Sequence, residues 1–217
     1  MYLSDTSILS KTPSLIVHDV QRDTSYRVLS EHHSMYGESL FLQMQGSSQV
    51  TMRLGPFGFT THVDGISLSR DGETLTYSAV TSHNMYAVPT KALRDKTAAP
   101  DAHVHLVSRR KPVSDGQATD AMGNVWLTAF TENALAVLRP VTHELVKVVE
   151  STKKLRWCDG LSFGPDGLYM TESALHLFLF GRGAFLEENR PFHIYKLSHA
   201  ALQSAFSEDY TLPPSGQ

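Results

Sequence analysis

Three aspartates stand in the same local setting along this chain, each followed by glycine: Asp64-Gly65, Asp115-Gly116 and Asp159-Gly160. Carboxylates that recur at one place in a repeated unit converge if the units are set around an axis. Converging carboxylates repel one another unless a cation or a hydrogen-bonding ligand compensates them. An all-oxygen donor set suits Ca²⁺ or Mg²⁺ better than zinc. Asp64 and Asp159 are therefore candidate ligands for calcium or another divalent cation, and Asp115 is a candidate contact for a small organic ligand. A plainer reading is that each carboxylate serves its own turn by accepting nearby backbone N–H groups.

The elements that would position them are short strands. Each Asp-Gly opens an alternating run that turns at a second glycine, Gly72, Gly123 or Gly167, and the next run ends in Ser78, Thr128 or Thr171. The openings lie about 51 and then about 44 residues apart, the period of a four-stranded β-propeller blade. Hairpin turns fill these units and no apolar positions recur at helical spacing, which argues against a helical solenoid. Asp71-Gly72 reads as a two-residue hairpin turn with positive φ at both positions. The expected fold is all-β, a partial propeller forming one domain over residues 1–217, with blades at about 1–31, 60–110, 111–152 and 155–200. Residues 32–59 form an insertion containing a further hairpin, residues 90–102 hold one helical turn, ALQSAF forms a short helix, and the tail 207–217 is mobile. The first blade is entered midway, at the end of its second strand.

A meander fixes which residues share a face. The start of a blade's first strand and the loop after its second strand lie at the same end of the propeller. That end collects the three aspartates together with Asp5, Ser82, His83, Asn84, Glu132, Asn133, Glu172 and His176. Within this set, His83, Asn84, Asp115, Glu172 and His176 are the expected ligand-binding residues. Trp126, Phe163, Tyr169 and Cys158 read as core.

Composition narrows the classes. A net charge of −3 with 19 basic residues spread along the chain leaves no electrostatic footprint for nucleic acid, and Arg109-Arg110-Lys111 reads as solvated surface. No stretch is long and apolar enough to span a bilayer, and the opening MYLSDTSILSKTPS is too polar for a signal peptide. A serine-nucleophile elbow, a phosphate-binding glycine loop and a His-Glu-x-x-His motif are all missing.

The segment LTYSAVTSHNMYAVPTKALRD resembles a part of the major royal jelly protein and Yellow family, where a strand ending in Tyr-Ser leads to Ser-His and an aromatic-containing strand. SDGQATDAMGNVWLTAF, DGLSFGPDGLYMTESALH and the opening MYLSDTS are similar to further segments of its microbial members. The resemblance implies a six-bladed propeller in a longer chain, of which this sequence supplies about four blades. It also implies an extracellular full-length protein, with roles across the family that span enzymes, carriers of small amines and storage proteins. On this reading the chain is a fragment, or its ring is completed by self-association or a partner chain. Asp-Gly-Leu-Ser-Phe-Gly-Pro-Asp-Gly is also similar to the repeats of gluconolactonase and regucalcin-type propellers, which implies a metal-dependent lactonase as the alternative. Only Asp159 and Asp64 match that family's ligands. A protein-interaction scaffold is the third reading, carried by the 32–59 insertion.

Overall fold

In the computed structural model, residues 1–44, 50–54, 56–95, 97, 99–179, 192–198 and 200–202 are described. The tail at 207–217, the remainder of ALQSAF after Leu202, and residues 180–191 of the last insertion lie outside them. The chain forms a β-propeller built from successive antiparallel meanders. β1 (Tyr2–Asp5), β2 (Ser14–Asp19) and β3 (Thr24–Val28) make a three-stranded sheet. A small sheet of β4 (Leu42–Met44), β5 (Val50–Leu54) and β6 (Phe57–Gly58) follows. Two four-stranded sheets come next. β7 (Val63–Leu68), β8 (Thr74–Ala79), β9 (Met85–Pro89) and β10 (His105–Ser108) form one; β11 (Gln117–Thr119), β12 (Val125–Ala129), β13 (Ala134–Arg139) and β14 (Glu144–Glu150) form the other. β15 (Cys158–Gly164), β16 (Gly167–Glu172) and β17 (His193–Ser198) close the series. Helix is confined to short pieces, chiefly α1 (Thr90–Arg94) and α2 (Leu175–Leu179).

Burial runs radially, and the sequence shows why. Every residue of β12 is buried, and only Arg139 of β13 escapes full burial, because neighbouring sheets cover both of their faces. Their apolar content, VWLTA and ALAVLR, is what a strand covered on both sides requires. The outer strands β3, β14 and β17 instead alternate with exposed residues. Apolar layers fill the gaps between sheets. Leu15, Val17, Val63, Leu75 and Tyr77 pack between the first and second meanders, and Met85, Val125, Leu127 and Leu138 between the second and third. Trp126, Leu135, Cys158, Leu168 and Met170 pack between the third and last. Burial of this kind contributes roughly 1.5–3 kcal/mol per large side chain. Hydrogen bonds cross the same gaps: Gln117 donates to the Thr76 carbonyl at 3.0 Å and accepts from Ser78 Oγ at 3.0 Å.

The recurrent Asp-Gly and Ser/Thr positions have a packing cause. The first strands β7, β11 and β15 are neighbours around the axis. A Cβ on Gly65 would lie 2.9 Å from the Asp115 carbonyl, and one on Gly116 would fall inside the radius of the Asp159 carbonyl. Each glycine is thus the slot into which the next inner strand fits. The Ser/Thr that ends the second strand fixes this edge: Thr128 Oγ1 accepts from Gly116 N at 2.9 Å and Thr171 Oγ1 from Gly160 N at 2.8 Å. The pairs at Asp64 and Asp159 sit at register shifts inside β7 and β15, so they shape strands and not turns.

The hairpin at Gly72 differs from the expected two-residue turn. Gly72 has φ +71° while Asp71 keeps negative φ, and Gly72 N donates to the Ser69 carbonyl at 2.9 Å. The loop runs from Ser69 to Glu73, and the Asp71 carboxylate accepts from Ser69 Oγ and Glu73 N. A side chain that bonds to its own turn removes the need for a second left-handed residue. Gly123, at φ +84°, repeats the device with Asp120, whose carboxylate also holds the Trp126 indole N–H at 3.0 Å.

Candidate functional site

The inner-strand geometry brings Asp64, Asp115 and Asp159 together. The Asp64 and Asp115 carboxyls are hydrogen-bonded to each other, and Asp159 acts on both through its charge. Two ionised carboxylates can only accept, so a bond between them holds a proton. Asp115 is raised well above the usual carboxylate range, first by burial and then by the Asp159 charge; Asp64 is raised by burial, with Asp159 adding to it. Asp159 is exposed and also raised by what burial it has. A proton shared between Asp64 and Asp115 would relieve the repulsion expected at the axis.

Asp115 has a second, fixed partner. Trp157 Nε1 donates to its Oδ2 at 2.7 Å. The Trp157 ring lies between Phe130, stacked at 4.1 Å between centroids, and His176, near-parallel at 6.2 Å. Val80, Val113, Leu42 and Met44 pack into the same cluster, so the β4 hairpin covers the loops that follow the second strands. His176 is 5% exposed and its Nδ1 is buried with no hydrogen-bond partner. Burial, helped by the Arg156 charge, pushes its pKa down to about 4, so the ring is neutral at physiological pH.

The other expected ligand residues are engaged elsewhere. His83 is exposed, and its Nδ1 bonds to the Lys111 carbonyl at 2.9 Å. Asn84 is half-buried and donates its backbone N–H to Ser82 Oγ at 3.0 Å. The Glu172 carboxylate is wholly buried between Arg156, at 3.1 Å, and His193, at 2.7 Å. Arg156 occupies it as an ion pair and His193 by a hydrogen bond. Burial raises its pKa against their opposing pull. Glu132, at the same end, pairs with Lys147 at 2.7 Å.

Lys111 overturns the expectation of a solvated basic run. It is fully buried, and its ammonium donates to the Pro112 carbonyl at 2.9 Å and Ser114 Oγ at 3.0 Å. Burial brings its pKa down to about 7, against the pull of Asp115 and Glu38. The signal for it in the sequence is Pro112-Val113 directly after it, which turns the chain inward ahead of Asp115. Glu38, also missed, comes from the insertion and accepts from Ser82 Oγ at 2.8 Å and His83 N at 3.2 Å.

Among the described residues, no group of three or more His, Cys, Asp or Glu side chains is arranged to hold a metal ion. Asp115 has one oxygen committed to Trp157. No helix of the described residues is long and apolar enough to cross a membrane.

Comparison with known proteins follows the fold. Residues 1–201 match the family model described as major royal jelly protein. A solved luciferin-regenerating enzyme is similar at 15% identity and a TM-score of 0.53, covering 91% of this chain and 57% of its own. A putative gluconolactonase gives 12% identity and 0.47, over 64% of this chain and 46% of its own. A calcium-binding regucalcin from Agrobacterium tumefaciens gives 16% and 0.45, over 90% and 75%. The chain thus spans about half the length of the first two. A search of curated proteins gives no significant match.

Proposed function

Because the chain belongs to the major royal jelly protein family, we propose that it binds a small organic cation at the axial mouth of its propeller. The observation that carries this reading is the meeting of Asp64, Asp115 and Asp159, with Asp115 held against the stacked indole of Trp157. An ammonium group replaces the shared proton as the charge that reconciles the carboxyls, and its N–H groups find acceptors on them. A ring attached to that ammonium meets the apolar wall formed by Phe130, Trp157 and the neutral His176. His176 Nδ1, buried and without a partner, offers one further polar contact. His83 and Asn84 act at a distance in this reading, through the loop that fixes Lys111, and Glu172 holds the last meander together. The family also supports an extracellular setting for the full-length protein.

The test is titration calorimetry with 2-phenylethylamine on the intact chain. Asp115→Asn keeps an acceptor for the Trp157 indole and a donor for Asp64, yet removes the charge. It is expected to weaken binding by about tenfold or more. Equal affinity in the two proteins would overturn the reading.

A further inference from the structure

Lys111 makes no ion pair among the described residues, although it is fully buried. The charged groups that act on it are Asp115 and Glu38, and Glu38 is already occupied by Ser82 Oγ and His83 N. The Nζ atom is anchored through Ser114 Oγ, the residue directly before Asp115, and through the Pro112 carbonyl. The main chain around it is clamped as well: Lys111 N donates to the His83 carbonyl at 3.0 Å, and Lys111 O meets His83 Nδ1 at 2.9 Å. A buried amine held this firmly, anchored to the residue before Asp115, places a positive charge beside the carboxyl cluster whenever it is protonated.

We propose that Lys111 is a specificity-determining residue that makes the axial carboxyls select a monovalent organic ammonium over a divalent cation. This rests on the cation-binding reading above and deepens it. The reasoning is Coulombic: a fixed unit charge repels a dication twice as strongly as a monocation at the same place, and its effect is large where solvent is excluded. Three carboxyls alone present up to three negative charges, enough to favour a divalent ion. With Lys111 behind them, the net charge suits one ammonium.

The experiment compares wild type, Lys111→Met and Lys111→Arg at pH 6.5, below the value of about 7 to which burial brings Lys111. Ca²⁺ and 2-phenylethylamine are titrated separately by calorimetry, and folding is checked by thermal melting. Lys111→Met is expected to raise the ratio of Ca²⁺ to amine affinity by about tenfold or more. Lys111→Arg, which keeps the charge, is expected to leave that ratio near wild type. An unchanged ratio in folded Lys111→Met overturns the proposal while leaving amine binding intact. If wild type binds no amine but Lys111→Met gains Ca²⁺ affinity, the ammonium-binding reading fails and the role of Lys111 as a fixed counter-charge stands. Should Lys111→Met not fold, Lys111→Gln, which removes the charge and keeps a donor for the Pro112 carbonyl and Ser114 Oγ, takes its place, and a ratio unmoved there overturns the proposal.

Discussion

His176 shows most clearly how single residues carry the chemistry of this end of the propeller. Its folded pKa, about 4, lies below the ordinary value of 6.5, so the folded state binds fewer protons than the unfolded chain between those values. The stability it permits is complete above about pH 6.5 and is lost as pH falls toward 4, a loss on the order of 3 kcal/mol. Denaturant melts of wild type and His176→Phe at pH 7 and pH 4.5 check this: the variant is expected to lose distinctly less stability on acidification. Equal losses would place the acid-sensitive group elsewhere. The sequence puts His176 at the end of the aspartates because a meander's parity is geometric, and its ring lies near-parallel to Trp157, the donor to Asp115. It could not show that Glu172, four residues earlier, is consumed by Arg156 and His193, since that pairing depends on a strand that returns only at His193. Lys111 was illegible for a related reason: a run of three basic residues looks solvated unless the inward turn at Pro112-Val113 is known.

At the scale of elements, the glycines that looked alike divide into two kinds. Gly123, at φ +84°, faces open space, and Gly123→Ala is expected to cost about 1 kcal/mol through backbone strain alone. Gly116 is occupied from outside by the Asp159 carbonyl, which cannot move without shifting β15. Gly116→Ala is expected to cost about 3 kcal/mol, since overpacking against backbone leaves no flexible side chain to yield. Urea melts of the two variants, measured together, separate these causes; equal midpoints would mean the inner strands are free to spread. The strands themselves were readable from alternation and turn glycines. The Asp71-Gly72 turn was misread because Asp71 bonds to its own loop, an alternative that residue identity alone does not distinguish from a two-residue hairpin.

Across the whole molecule, the axial carboxyls oppose His176 in their pH dependence. Asp64, Asp115 and Asp159 all have folded pKa values above the unfolded one, so the folded state binds the extra protons. Their contribution to stability is complete below about pH 4 and is lost as pH rises through the raised values. Asp115→Asn is therefore expected to melt higher than wild type at pH 8 and about equally at pH 4, and a constant difference between the two would count against a raised Asp115. The fold tolerates this strain because the radial layers of apolar packing, and not the axis, hold the sheets together. The loops between inner strands vary in length, and the 32–59 insertion adds a small sheet, yet one contact recurs: Gly65 against the Asp115 carbonyl and Gly116 against the Asp159 carbonyl. The spacing of neighbouring inner strands is consequently gauged by an absent methyl group. How closely the three aspartates approach one another is set by that omission.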